Sequence, residues 1–265
     1  MVKGRTSWYN EKNDAGGECP LKKPILEPLG DQAMLVTLGD AGDREAAVAA
    51  ASFSKAVMEM AWPGLLECVP AYASFAVYYD PAAVIAGSGI RAAASMRVSA
   101  YALVQARILS AWEGFRGTGR ASGKLVVIPV KYGDEEGPDL QEVARSTGLS
   151  VEEVVQLHAS REYTVQAIGF APGFPYMSGL DPLLAVPRKD TPRTRVAAGS
   201  IGIAGLQTGI YPIASPGGWN IIGRTPRALF HLERRPPALL EPGDRVRFEP
   251  VDQRECSLEE EKHGG

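Results

Sequence analysis

Cysteine and histidine are scarce in this chain, with three of each among 265 residues. Cys19, Cys68 and Cys256 lie far apart and form no Cys-x-x-Cys pair, which argues against a disulfide framework or a zinc site and suits a reducing cytoplasm. His158 falls on a predicted helix, His231 lies past the glycine-rich clusters and His263 is in the tail, so no Ser/His/Asp order can be assembled. Long apolar runs are also missing. The longest are broken by Pro, Gly, Arg or Asp and fall short of the roughly 20 residues of a membrane span. The first two dozen residues carry Lys3, Arg5, Glu11, Lys12, Asp14 and Glu18 with no signal-peptide core, and residues 1–24 read as a disordered leader. Neither sign of charge dominates. A net charge of -3 gives no general reason to bind nucleic acid, whose affinity rests on clustered Lys and Arg.

A hydrophobic share of 45% and a charged share of 22% are those of an ordinary globular protein, and the length predicts two domains. Ala33 to Leu38 reads as a strand, and Asp43 to Met60 as a helix with Phe53, Val57 and Met60 at helical spacing. Leu65 to Val69 and Ser74 to Tyr79 form a predicted hairpin, and Asp80-Pro81 opens a further helical region. A second long helix runs from Ser95 to Trp112, with Val98, Ala102, Gln105 and Leu109 on one face. The order β-α-β-β-α, with one more strand available, is that of a small ferredoxin-like split unit. Gly114, Gly117, Gly119, Ser122 and Gly123 form a joint, which sets domain boundaries of 25–122 and 123–251, followed by a polar tail at 252–265.

The second half opens on two predicted helices, where Asp139 with Glu142 and Ser150 with Glu153 have capping-box spacing and Gly148 stands as a C′ residue between them. From Tyr163 to Arg247 short β-prone runs such as Thr164 to Ile168, Ile201 to Ala204 and Val246 to Phe248 alternate with dense Gly and Pro. That texture predicts a closed or partly closed β-barrel and an α+β fold class.

Chemistry concentrates in three clusters of this half. Gly169-Phe170-Ala171-Pro172-Gly173-Phe174-Pro175-Tyr176 is a rigid loop of flat apolar faces and exposed amides, suited to a planar amide or lactam and equally to a hydrophobic loop covering one end of a barrel. Arg188, Lys189, Arg193 and Arg195 could receive a carboxylate or phosphate, with the glycines after Ala198 letting amides approach a ligand; charge clusters more often belong to solvated loops. Gln207, Thr208, Tyr211, Ser215, Trp219, Asn220 and Arg224 supply neutral donors, a stacking face and another cation. No Walker A or Rossmann fingerprint accompanies the glycines, so no autonomous nucleotide site is expected.

The ordered series Leu157-His158-Ala159, Gly169 to Tyr176, Pro187-Arg188, Thr191-Pro192-Arg193, Ala198-Gly199-Ser200-Ile201-Gly202-Ile203, Gln207-Thr208-Gly209-Ile210-Tyr211-Pro212, Ser215 to Trp219, Gly223 to Pro226 and Pro242-Gly243-Asp244 resembles the 5-oxoprolinase B subunit family. That family is also called allophanate hydrolase subunit 1 or kinase-inhibitor KipI, and it is similar to part of urea carboxylase. The resemblance runs from Gly30 to Val251; His231 and Lys131 depart from its pattern. It implies a ferredoxin-like N-terminal domain, a cyclophilin-like β-barrel C-terminal domain, and an ATP-dependent opening of 5-oxoproline to glutamate with subunits A and C. From the co-occurrence of aromatics and cations in the glycine-rich loops, with His158 added, His158, Arg193 and Arg224 are the catalytic candidates, and Phe170, Phe174, Tyr176, Arg188, Ser200, Gln207, Thr208, Tyr211 and Trp219 the substrate-binding ones. ATP is expected at a shared or partner site. Inhibition of a sensor histidine kinase and the processing of allophanate or urea-derived amides are the alternatives; the chain has no Met-Lys-Met biotin-carrier sequence.

Overall fold

The computed structural model describes residues 23–40, 43–89, 98–115 and 123–251. Most of the expected leader, the middle of the expected joint, the tail from Asp252 and with them Cys19, Cys256 and His263 lie outside those residues.

The first half builds one four-stranded antiparallel sheet under helices. β1 (Ile25–Pro28) and β2 (Ala33–Thr37) are followed by α1 (Arg44–Glu59), β3 (Leu65–Ala71), β4 (Ser74–Tyr79), α2 (Pro81–Ala86) and α3 (Ala100–Gly114). Asp43 starts α1 because its carboxylate accepts the amides of Glu45 and Ala46 at 2.9 and 3.1 Å. Ala46, Ala50, Phe53 and Val57 recur along the buried face of α1, and the Phe53 ring centroid lies 5.6 Å from Phe75, 5.0 Å from Trp112 and 4.9 Å from Phe115. Met60 lies beyond the helix end and is exposed, so it does not extend that face. α3 buries Ala100, Val104 and Ile108 rather than the expected Ala102, Gln105 and Leu109. With apolar residues on several sides of this alanine-rich helix, spacing alone does not decide which stripe packs.

Strand order in this sheet is β1-β2-β4-β3. Among the described residues no strand follows α3 to complete the sheet; its fourth place is taken by β1, which precedes the expected unit and which periodicity did not reveal.

The second half comprises β5 (Leu125–Tyr132), α4 (Leu140–Thr147), α5 (Val151–Ala159), β6 (Glu162–Ile168), β7 (Pro175–Ser178), β8 (Arg193–Val196), β9 (Ser200–Ala204), β10 (Gln207–Ile210), β11 (Ser215–Gly217), β12 (Asn220–Arg224) and β13 (Arg245–Pro250). Seven of these strands run in the order β6-β13-β5-β12-β9-β10-β7, and β7 pairs back onto β6 to close a barrel. Only β13 with β5 is parallel. β8 and β11 form a separate two-stranded arm. Ser150 and Glu153 make both bonds of a capping box at the start of α5, and Gly148 ends α4 at φ 74°. Asp139 makes no cap bond to α4, because its carboxylate is engaged elsewhere.

α5 inserts His158 into the barrel core with 0% exposure, stacked 4.6 Å from the Phe248 ring centroid. Nδ1 is 2.7 Å from the Tyr132 hydroxyl and Nε2 is 3.0 Å from Thr208 Oγ1. The Thr208 hydroxyl donates its single proton to the Gly202 carbonyl at 3.1 Å, so it accepts from Nε2–H and leaves Nδ1 to accept from Tyr132. The ring is therefore neutral, and burial pulls its pKa down to about 3. His158 and Thr208, expected at the site, are thus buried core residues that satisfy each other.

An unfolded histidine takes up a proton near pH 6.5 that the folded ring refuses until about pH 3, so this stability is complete above pH 6.5 and is lost as pH falls below it. Denaturant titrations are expected to lose about 2 kcal/mol between pH 7 and pH 5 from this group. In His158→Gln, which keeps one donor and one acceptor, that component should vanish; an unchanged slope would place the acid sensitivity elsewhere.

Candidate functional site

Because strand side chains alternate, the strands that turn Met177, Ile201, Ile203, Thr208, Ile210 and Ile222 into the barrel turn Tyr176, Gly202, Gly209 and Ile221 outward. These outward residues fall in one cross-strand row, Tyr176 opposite Gly209, Gly209 opposite Gly202 and Gly202 opposite Ile221. The two glycines make room for rings. A Cβ on Gly209 would lie 2.9 Å from Phe174 and 3.0 Å from Trp219, and one on Gly202 would lie 3.0 Å from Trp219. Tyr211 and Trp219 pack edge to face on Phe174 there and Tyr176 lies tilted against it, with centroids 4.8 to 5.6 Å from Phe174. Sequence reasoning expected this aromatic group; the structure seats it on the outer wall of the barrel rather than over one end.

The loop from Gly169 to Phe174 adds a projecting ring. The Gly169 amide donates across it to the Phe174 carbonyl at 3.1 Å, while the Phe174 amide donates to the Ala171 carbonyl at 3.0 Å. Phe170 between them has φ 65° and is 65% exposed, 5.5 Å from the Phe174 ring. A left-handed phenylalanine costs roughly 1–3 kcal/mol and persists only where its surroundings impose it.

The cations divide sharply. Arg188 lies with its guanidinium carbon 5.9 Å from the Trp219 ring centroid, and among the described residues it has no carboxylate partner. Its backbone is fixed on both sides: the Asn220 side-chain amide donates to the Pro187 carbonyl at 2.8 Å and the Lys189 amide to the Gly218 carbonyl at 2.8 Å. Lys189 and Arg193 are neutralised by Asp139, at 2.9 and 2.6 Å, and Lys189 also reaches Glu142 at 2.8 Å. Asp139 is 2% exposed and its second oxygen accepts the Ile221 amide at 2.7 Å. Burial raises this carboxyl's pKa, but the bonds from Arg193, Ile221 and Lys189 outweigh burial and hold it below the usual value. Arg193, expected as catalytic, is thus a structural ion-pair partner, its Nη1 buried without a bond. Arg224 donates to the Ala198 carbonyl at 2.8 Å and faces Glu136 at 3.4 Å, which makes it a tether as well.

The glycine-rich run after Ala198 does not offer its amides to a ligand as expected. Gly199 donates to the Tyr211 carbonyl at 2.7 Å, Gly205 to Val186 at 2.7 Å, and the residues between are ladder-paired in β9. Ser200 is buried in that strand, and its carbonyl accepts the Tyr211 amide at 2.9 Å. Those amides are occupied, and Lys189, Arg193 and Arg224 are paired. Gln207 sits at the edge of the seat, its side-chain amide bonded to the Tyr72 hydroxyl.

A polar concavity of about 360 Å³ adjoins Arg188 and is walled by Lys189, Glu142, Asn220 and Val186. A larger one of about 570 Å³ lies beside α5 among Val151, Val155 and Pro250, away from the aromatic seat. Cys68 is half-buried, and burial followed by the neighbouring Glu67 pushes its thiol up to about 12, so it is not a nucleophile at neutral pH.

Two residues of this region escaped sequence reasoning. Asp139 read as a helix cap because its spacing to Glu142 fits one, and Tyr72 carries no local signal at all.

Asp139→Ala should strand two cations and a buried amide, lowering stability by on the order of 3 kcal/mol in denaturant melts. The wild-type contribution should also fade in acid, being present above the ordinary carboxylate range and lost as pH drops through the lowered folded pKa. A neutral outcome for the variant would mean that these contacts are compensated. Gly209→Ala should displace the Phe174 and Trp219 rings, read as a shifted tryptophan emission maximum; an unshifted spectrum would show that the seat yields without cost.

The family model of the carboxyltransferase domain, subdomain C and D, matches residues 24–240. The chain is 41% identical over 232 residues to the 5-oxoprolinase B subunit of Bacillus subtilis (strain 168), spanning 87% of this chain and 94% of that relative. It is 52% identical over 133 residues to the 5-oxoprolinase B subunit of Escherichia coli O157:H7, covering 50% of this chain and 61% of that one. The crystal structure of TTHA0988 superposes with a TM-score of 0.69 at 38% identity over 83% of this chain, which spans only 40% of the TTHA0988 chain. The chain belongs to the carboxyltransferase subdomain C and D family, together with the 5-oxoprolinase B subunits.

Proposed function

We propose that this chain is the B subunit of an ATP-dependent 5-oxoprolinase that converts 5-oxoproline to glutamate together with subunits A and C. The observation that carries the ligand assignment is Arg188, held over Trp219 without a carboxylate partner among the described residues and close enough to Tyr176 and Tyr211 to act on their hydroxyls. A small lactam bearing a carboxylate has the two parts such a surface complements: a flat ring for the accessible Phe170 and Tyr176, which lie against the buried Phe174, Tyr211 and Trp219, and an anion for the guanidinium. Opening an unstrained lactam requires an electrophilic amide carbon, which ATP-dependent activation of the lactam oxygen supplies. Lys189, Arg193 and Arg224 around the seat are committed to carboxylates or carbonyls, which favours a nucleotide site on a partner subunit or shared with one.

On this reading the chain positions the substrate, and the chemistry is completed in the assembled enzyme. We further read residues 25–122 as a ferredoxin-like domain whose edge place is taken by β1, and residues 123–251 as a cyclophilin-like domain; two separate hydrophobic clusters, one around Phe53 and one around Ile128, support that division. The demand for ATP favours the cytoplasm.

The decisive assay is ATP-dependent glutamate release from 5-oxoproline by this chain reconstituted with subunits A and C, with each subunit omitted in turn. Arg188→Ala is expected to raise KM for 5-oxoproline on the order of ten- to a hundredfold, the effect of losing a charge-assisted bond, with a smaller change in kcat. Wild-type KM in that variant would remove Arg188 from the site. A complex inert on 5-oxoproline but active on urea-derived amides would reassign the substrate.

A further inference from the structure

The N-terminal sheet is stitched to the barrel beside the aromatic seat. Ala71 at the end of β3 pairs with Ala167 of β6, and the next residue, Tyr72, donates its amide to the Gln166 carbonyl at 3.0 Å. Ala167 lies opposite Tyr176, which in turn lies opposite Gly209, so the β3–β4 turn sits at the end of the cross-strand row that carries the seat. Tyr72 has φ 55°, a conformation that non-glycine residues hold only where their surroundings impose it.

Its side chain is equally constrained. Gln207, two residues before Gly209 and on the same face of β10, donates its amide to the Tyr72 hydroxyl oxygen. The neighbouring Gln166 amide donates to Ser178 Oγ at 2.7 Å, so the glutamines of this rim are both spent within the protein. The Tyr72 oxygen accepts a bond while, among the described residues, its own proton goes to no acceptor. Tyr176 next to it is partly buried, and both Arg188 and Tyr72 lie close enough to act on its hydroxyl electrostatically.

We propose that Tyr72 is a ligand-contacting residue supplied by the N-terminal unit, whose hydroxyl proton is donated to an oxygen of the small carboxylate-bearing amide or lactam seated between Arg188 and Tyr176. The inference rests on the aromatic seat being the ligand site, and it adds that the site is composite: the barrel provides the faces and the cation, the N-terminal sheet a neutral donor. Such a donor discriminates for ligands with an oxygen at that edge, since an analogue lacking it leaves the hydroxyl unmatched.

The test compares KM and kcat for 5-oxoproline in the reconstituted A, B and C complex carrying wild-type chain, Tyr72→Phe or Arg188→Ala, with melting temperatures of each. Tyr72→Phe keeps the ring, so folding should be preserved while KM rises roughly tenfold and kcat stays within about twofold. An unmoved KM in Tyr72→Phe alongside a raised KM in Arg188→Ala would overturn the role of Tyr72 and leave the seat standing. If neither variant moves KM, both assignments fall. A drop in melting temperature and kcat with KM unmoved would make Tyr72 only a structural link between the sheet and the barrel, which also overturns the proposal.

Discussion

Seven strands close on themselves because β7 pairs with both β10 and β6, and everything outside the barrel is arranged on the wall that this closure creates. A closed sheet has no free edge among its own strands and two unlike faces. The inner face takes the aliphatic core and the His158–Thr208 pair. The outer face of the β12-β9-β10-β7 stretch, with glycine at 202 and 209, is left hollow enough for Phe174 and Trp219 to lie close against the backbone. A site on a barrel wall needs that combination of rigidity below and missing side chains above.

Asp139 then determines which cations remain available. A single buried carboxylate collects Arg193, Lys189 and the Ile221 amide, so elements far apart in sequence, the start of α4, the segment from Lys189 into β8 and strand β12, are locked to one point. The same clamp engages two of the four positive side chains between 188 and 195. Arg188 is left above the rings, its backbone pinned by Asn220 and by the Gly218 carbonyl. Desolvation decides this allocation: a carboxylate held inside the protein requires partners, and the nearest cations supply them.

Much of the local structure was legible in advance. Asp43 and Asp80 before alanine-rich stretches, Ser150 with Glu153, and Gly148 are cap signals that act within a few residues, and the helices begin or end where they stand. The aromatics of the Gly169 to Tyr176 loop and Trp219 were also recognisable as one candidate surface. The buried face of α3 and the strand β1 were not: an alanine-rich helix offers more than one apolar stripe, and a four-residue strand containing a proline has little periodicity. Asp139 was misread because a capping box and a buried ion-pair centre can share one spacing. His158, Arg193 and Arg224 each have partners within the protein that their types do not reveal, since residue type states what a group can do but not whether its partners already occupy it.

The sequence by itself determined the family, the class of elements and the residues from which a ligand surface could be made, because caps, turns and alternation are set by neighbours along the chain. Only the tertiary structure decided which of those residues are free. Pairing across the barrel brought Asp139 to Arg193, Thr208 to His158 and Tyr72 to Gln207, contacts spanning 54, 50 and 135 positions. Charge neutralisation and hydrogen-bond satisfaction act through space, so the same side chains that read alike in sequence ended as core, clamp or candidate site according to what the fold set beside them.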